Sequence, residues 1–394
     1  MAVEHFFYSE RTQASCFRGE NGCDEYFILV RSKQEPNFDE SLDNVLRDYK
    51  LVLPRLGLSS ESLVFSRFIL SDIQNQKNLL IGSELFNFCR DGASAVIGQP
   101  PAFTGGGIYF LAYHIKSDSF ARTRLTMLNG KKHRNGLLLE GTNYNLLFTG
   151  NFSGDGDLNS AHQTDELFSD YQSLLADHDM DLYRNCVRTW IYVRDIDNHY
   201  WGMVESRKKI FDDNNLTANS RYIASTGIEA KSLEVNSLVS MDALSVSGLK
   251  DGQLVRMEAP EHLCPTNDYG VTFERGQNVV FGDRNHLHIS GTASIDKNGD
   301  VLHLNDVRKQ AARAVENVSA LLASQDASLD DMLYLLVYLR NPSDTEKVQE
   351  IFRDLIPQDM PIVYVEGSVC RPSWLVEIEG VAATHSTSPF DNLE

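Results

Sequence analysis

Apolar residues recur along this chain in two alternating rhythms. At Leu42, Val45, Leu46, Tyr49, Val52, Leu53 and Leu56 they stand three or four apart, the stripe of a helix packed by one face. After the polar turn GLSSES a nearly continuous apolar run over 64–72 predicts a buried strand. A second amphipathic stretch over 79–88 leads through ASAVIGQPP to a closing strand at 108–114. The same order returns. Thr164 stands as N-cap to a helix carrying Leu167, Tyr171, Leu174 and Leu175, followed by a strand over 187–195. A helix with Trp201, Val204, Ile210 and Phe211 then leads through ASTGIEAKS to a strand over 237–246. A third time, Asp306 opens a helix with Ala311, Ala314, Val315, Val318, Leu321 and Leu322. A strand over 333–341 follows, then a helix with Val348, Ile351, Phe352 and Leu355. Upstream runs at 26–31, 144–150 and 285–295 supply one more strand to each copy.

Each copy reads β-β-α-β-α-β, an α+β unit with both helices on one face of a mixed sheet. The other sheet face needs cover, and three such sheets can cover one another around a pseudo-threefold axis. The expected architecture is therefore a single-chain pseudo-trimer, which closes its own interfaces and predicts a monomer. The boundaries follow: residues 1–116 form a degenerate first repeat, 141–250 the second and 251–386 the third, with a tail at 387–394 in which disorder is expected. Segment 117–140, with its basic run Gly130-Lys-Lys-His-Arg134, fits no unit and reads as a linker or flap. Gly105-Gly-Gly107 lacks a following lysine and reads as a turn, not a phosphate loop.

Composition narrows the function classes. The net charge of −19 argues against a nucleic-acid partner, which needs clustered Lys and Arg. No apolar run is long enough to span a membrane, and MAVEHFFYSERTQ lacks the apolar core of a signal peptide. Six scattered cysteines without a CxxC pair suggest reduced thiols and a cytoplasmic protein. His286 and His288 share a strand face, but no third ligand lies nearby in sequence, so they read as structural and no metal is expected.

The candidate chemistry lies in VYVEGSVCRPSWLVEIEGVAA, residues 363–383. Pro372 interrupts the two apolar runs. In the second run Leu375, Glu377 and Glu379 share one strand face, so two carboxylates enter a strand otherwise built for burial. They need either cationic partners or a chemical task. Arg188 lies mid-strand in an apolar run, Arg275 follows Phe273 in a loop, and Arg340 ends a strand.

The repeat resembles the reactive-intermediate (enamine/imine) deaminases, also known as endoribonuclease-L-PSP-like proteins, small trimers with pockets at subunit junctions. ISGTASID, Gln310 and VEIEGVA carry that resemblance. Those proteins use an arginine on the strand before the closing hairpin to hold a substrate carboxylate. Tyr364 and Ser225 stand near that position here, which argues against simple deamination.

The second half resembles the chorismatases more closely. The motifs are Arg188-Thr-Trp-Ile-Tyr192, Ala224-Ser-Thr-Gly-Ile228, Pro265-Thr-Asn-Asp-Tyr-Gly270, Phe273-Glu-Arg275, Ile289-Ser-Gly-Thr-Ala293, Val337-Tyr-Leu-Arg340 and Leu375-Val-Glu-Ile-Glu-Gly380. The resemblance implies cleavage of the enolpyruvyl ether of chorismate to pyruvate and an aromatic or cyclohexadiene carboxylate, without cofactor. Gly291 and Cys370 match the 3-hydroxybenzoate-forming subtype, whereas Cys264 replaces a tyrosine common before Pro265. By that resemblance Glu377 is the proton donor and Cys370 an acid–base or steering group. Arg188, Arg275, Tyr269, Gly291, Thr226 and Arg340 would contact the substrate, in one pocket between the second and third copies. The alternatives are an imine or enamine deaminase and a non-catalytic binding relative.

Overall fold

The computed structural model describes residues 2–103, 107–156 and 158–394. Three six-stranded mixed sheets follow one another along the chain. In the first unit β1 (Val3–Ser9), β2 (Thr12–Phe17) and β3 (Asp24–Arg31) precede helix α1 (Phe38–Val52). Then come β4 (Leu63–Leu70), α2 (Ile73–Gly82), α3 (Glu84–Phe88), β5 (Ala93–Gly98) and β6 (Ile108–Lys116). The second unit has β7 (Ala121–Thr126), β8 (Asn135–Glu140), β9 (Asn145–Ser153), α4 (Ser160–Ala176), α5 (Leu182–Asn185), β10 (Cys186–Val193), α6 (Ile196–Asp213), β11 (Ala224–Glu229) and β12 (Val239–Ser247). The third has β13 (Leu254–Arg256), β14 (Gly276–Val280), β15 (Arg284–Ala293), α7 (Val307–Ala323), β16 (Met332–Leu339), α8 (Thr345–Leu355), β17 (Ile362–Glu366) and β18 (Val376–His385).

Sheet order is the same in all three: β1-β2-β3-β6-β4-β5, β7-β8-β9-β12-β10-β11 and β13-β14-β15-β18-β16-β17. The parallel pairs β4–β5, β10–β11 and β16–β17 are joined through crossover helices. From first helix to central strand, Phe38 to Leu63, Ser160 to Cys186 and Val307 to Met332, the spacing is constant to within one residue.

Five features differ from the sequence reading. Each sheet has six strands because the hairpin-forming edge strands and the short parallel strands are brief and partly polar, so periodicity hides them. Residues 121–126 and 135–140, read as a linker or flap, pair as β7 and β8 and extend the second sheet. Helix α4 starts before Thr164: Asn159 caps it by accepting from the His162 amide, and Thr164 bonds back to the Ser160 carbonyl from inside the helix. Trp201 lies on the outer face of α6, 56% exposed, while Tyr200, Met203, Val204 and Arg207 face inward. The tail is also ordered: Leu393 is buried, the Gly282 amide donates to the Asp391 carbonyl, and the Leu393 amide donates to the Asp283 carboxylate. Gly105 and Gly106 of the expected turn lie outside the described residues, and Gly107 has a φ of 104°.

The three sheets turn their helix-free faces inward and meet around a central axis. Phe27 stacks on Tyr334, and Phe65 packs on Phe148 across unit boundaries. Main-chain bonds stitch each junction, at Gly98 with Lys231, Ala102 with Tyr364 and Glu229 with Ser368. Charges are buried here too. Arg284 donates to Glu25 at 2.6 Å and to Asp283 at 2.6 Å, and His286 reaches the same Glu25 oxygen at 2.7 Å. Burial alone would push the Glu25 pKa up. His286, Arg284 and the Tyr113 hydroxyl outweigh it and hold this carboxyl well below the usual range. Arg284→Met would strand two buried carboxylates and is expected to cost about 3–5 kcal/mol, read as a lower urea midpoint.

Candidate active site

Between the second and third units lies a closed pocket with about 30 Å3 of free space. The second unit contributes Tyr200 and Arg207 from α6 and Ser225, Thr226 and Gly227 from β11. The third contributes Gly291 from β15, Cys370 and Trp374 from the closing hairpin, Glu377 from β18, and Tyr269, Phe273 and Arg275 from the loop before β14.

A bulge in β15 at Ser290 and Gly291 shapes this wall, because the register with β18 shifts between Ile289 and Thr292. It lets the Gly291 amide donate to Thr226 Oγ1 at 2.9 Å, and Ser290 Oγ accept from the Ser225 amide at 2.9 Å. A Cβ on Gly291 would collide with the Glu377 carboxyl and approach Thr226 Cγ2 to 3.1 Å. Only glycine leaves that carboxyl its place.

Glu377 and Glu379 are both buried, but their surroundings differ. Glu379 accepts from Arg188 at 2.7 Å and from the Trp190 indole at 2.9 Å, a paired carboxylate. Glu377, 6% exposed, has no such partner among the described residues, and burial pushes its pKa up to about 8. The neighbouring Glu379 adds to that rise; Arg275 and Arg188 oppose it. Glu377 is therefore a carboxylic acid that still holds its proton near neutrality.

The cations sort into two kinds. Arg188 is consumed by Glu379 and also donates to Thr226 Oγ1 at 2.6 Å, so it stands behind the pocket wall and not in the pocket. Arg340 likewise lies outside, bonded to Asp197 at 3.2 Å and to the Val369 carbonyl, where it ties the start of α6 to the hairpin before Cys370. Both were expected to contact the substrate; in this structure their charges meet Glu379 and Asp197 and neither lines the pocket.

Arg275 is different. It donates to the Cys264 carbonyl at 3.1 Å and to the Cys264 sulfur at 3.6 Å, and lies between the Tyr269 and Phe273 rings. Arg207, 2% exposed, has no carboxylate partner among the described residues, and its Nε is buried without a hydrogen bond. Two buried guanidinium groups without counter-ions face a closed cavity beside a protonated acid. Such an arrangement suits a ligand carrying two negative charges.

Cys370 completes the floor. Burial first, and then Glu377, push its thiol up to about 12, and the Tyr200 hydroxyl hydrogen-bonds it. It is a neutral thiol, not a thiolate. Burial likewise raises Tyr269 to about 12. The Trp374 indole N–H is buried without a partner. Arg207, Tyr200 and Trp374 were not anticipated as site residues. A signal for Arg207 exists: it continues the apolar stripe Tyr200, Met203, Val204 of α6, where a charge has no solvent to reach.

The family model for Endoribonuclease L-PSP matches residues 277–384. A RutC family protein of Pyrococcus horikoshii is 33% identical over 100 residues, which cover 25% of this chain and 79% of that protein. The chain belongs to the RutC family. Its family match lies in the third unit, the one that holds Glu377.

A 3-hydroxybenzoate synthase of Streptomyces hygroscopicus is 26% identical over 225 residues, covering 50% of this RutC-family chain and 64% of the synthase. A crystal structure of a chorismatase superposes with a TM-score of 0.62 at 18% identity, covering 82% of this chain and 93% of that one. This RutC-family chain is thus related to the chorismatases, and it shares with that structure a fold spanning most of both chains. No helix among the described residues is long and apolar enough to cross a membrane.

Proposed function

We propose that this chain is a chorismatase, cleaving the enolpyruvyl ether of chorismate to pyruvate and 3-hydroxybenzoate. One observation carries the reading: Glu377 is buried and protonated, faced by Arg207 and Arg275, neither of which has a carboxylate partner among the described residues. Chorismate is a dianion bearing a vinyl ether. Its two carboxylates would answer the two guanidinium groups, and its enol-ether methylene would take the Glu377 proton. Protonation there forms an oxocarbenium ion; the ring's C4 hydroxyl, giving up its proton, then displaces pyruvate from C3, and opening of the resulting 3,4-epoxide at C4 with loss of the C3 proton leaves the hydroxyl at C3. A well-placed general acid accelerates such a step roughly 10²–10⁴-fold.

The aromatic product is supported by stoichiometry and space. Chorismate has the atoms of 3-hydroxybenzoate plus pyruvate, so that route consumes no water, whereas a diol product needs one. A closed pocket with little free space suits the former. The neutral Cys370 thiol would lie beside the ring and steer the proton that the ring must lose. Similarity to a protein named 3-hydroxybenzoate synthase supports the same product.

Purified protein given chorismate without added metal should release pyruvate, with 3-hydroxybenzoate identified by chromatography. No pyruvate, together with faster ammonia release from an enzymatically generated imino acid, would move the chain to the deaminases. Gly291→Ala should lower kcat roughly 10–100-fold by displacing the Glu377 carboxyl, with an unchanged far-UV spectrum. An unchanged kcat would show that the carboxyl's position is not critical.

A further inference from the structure

The pseudo-threefold axis creates two more junctions, and strand register identifies what stands in each at the place of Glu377. On the third sheet Glu377 lies opposite Ala293 and Tyr338, the latter the penultimate residue of central strand β16. On the second sheet the same rung holds Ser240, opposite Ser153 and Tyr192. On the first it holds Tyr109, opposite Arg31 and Ile69.

These junctions differ in openness. Between the first and second units the space is sealed: Asn135 and Asn151 bond the main chain of Ser94 and Val96, and Gly150 packs against the Ser94 carbonyl. Between the third and first units it is an open cleft of about 500 Å3, continuous with a larger one through Arg11, Arg31 and Gln349.

We propose that this third-to-first cleft is a second binding site, specific for a small aromatic carboxylate and unable to turn it over. Arg31 projects into it beneath the Phe103 ring, 5.3 Å away, and hydrogen-bonds Tyr109. It has no carboxylate partner among the described residues, and its Nε is buried without a hydrogen bond. Arg353 and Lys33 flank it, also without ion pairs among the described residues, whereas Arg11 is already matched by Asp48 at 2.8 Å. Glu10 and Glu346 also line these clefts, but Arg31, Arg353 and Lys33 outnumber them, and a positive centre on a chain of net charge −19 selects an anion. The facing wall, Leu29, Phe352, Ile362 and Tyr364, is apolar and partly aromatic, so a fully hydrated anion such as phosphate would leave it uncovered. A flat ring with one carboxylate satisfies both surfaces. Tyr109, a phenol where the catalytic pocket has its acid, can donate a hydrogen bond but lacks the acidity to protonate an enol ether. The inference stands on this cleft alone and does not depend on the reaction proposed for the Glu377 pocket.

The test is a calorimetric titration of benzoate into the full chain carrying both Arg207→Gln and Arg275→Gln, which removes the two unpaired guanidinium groups of the catalytic pocket. This protein should bind one equivalent. Adding Arg31→Gln should weaken binding roughly tenfold or more, the loss of a charge-assisted contact. Adding instead Arg353→Gln, an exposed residue whose loss cannot unfold the chain, should weaken it several-fold. Absence of benzoate binding to the protein carrying Arg207→Gln and Arg275→Gln at millimolar concentrations would overturn the proposal. So would binding undiminished by Arg31→Gln, or weakened by it only with a collapse of thermal stability while Arg353→Gln has no effect.

Discussion

Glu377→Gln is expected to leave a folded protein whose kcat for pyruvate release from chorismate is lower by roughly 10²–10⁴-fold. Glutamine keeps the size and a hydrogen-bonding head but has no proton to give. Because burial holds the acid at about 8, wild-type kcat/KM should fall on the alkaline side of about pH 8, as free enzyme loses that proton. The same shift leaves a stability signature. The folded pKa lies above the ordinary 4.5, so the folded state binds more protons than the unfolded chain between those values. The stabilisation from this group is complete below about pH 4.5 and is lost as pH rises through about 8. Urea unfolding of wild type and Glu377→Gln at both ends of that window should show wild type losing stability relative to the variant as pH rises. A variant retaining most of its kcat, or a rate unaffected above pH 8, would remove Glu377 from the mechanism.

The second large effect separates two buried arginines that are indistinguishable by charge alone. Arg188→Gln removes the one cation bonded to Glu379 among the described residues, leaving a buried carboxylate with the Trp190 indole, and is expected to cost about 3–5 kcal/mol of stability. Arg207→Gln removes a cation that has no counter-ion to strand, so its melting temperature should hold or rise. Its catalytic effect runs the other way. Losing a desolvated partner of a substrate carboxylate should reduce kcat/KM by about 10²-fold or more, mostly through KM. Thermal melts and steady-state kinetics on the two variants give opposite rankings if this assignment holds. An Arg207→Gln protein with an unchanged KM would place the substrate carboxylates elsewhere.

These two arginines also show where local sequence stops being informative. Both interrupt apolar patterns, Arg188 in a strand of period two and Arg207 in the stripe of a helix, so each announces a buried charge. What each charge meets depends on residues far away in the chain: Glu379 for Arg188, and an empty pocket beside Tyr200 and Cys370 for Arg207. The partner of Arg340 is set in the same way, since Asp197 comes to it from another unit.

The threefold repetition, the α+β class, the order of the main helices and longer strands and the inward carboxylates of β18 were settled by the amino-acid pattern alone, because side-chain period and burial are properties of short segments; the brief edge strands were not. The divergence of the three junctions was decided only by tertiary packing. Near-equivalent strands bring together an acid with unpaired guanidinium groups at one junction, a tyrosine with an open cleft at another, and asparagine-sealed main chain at the third. Each environment is assembled from two units, and the free energy of a charge depends on what surrounds it, not on which residues adjoin it along the chain.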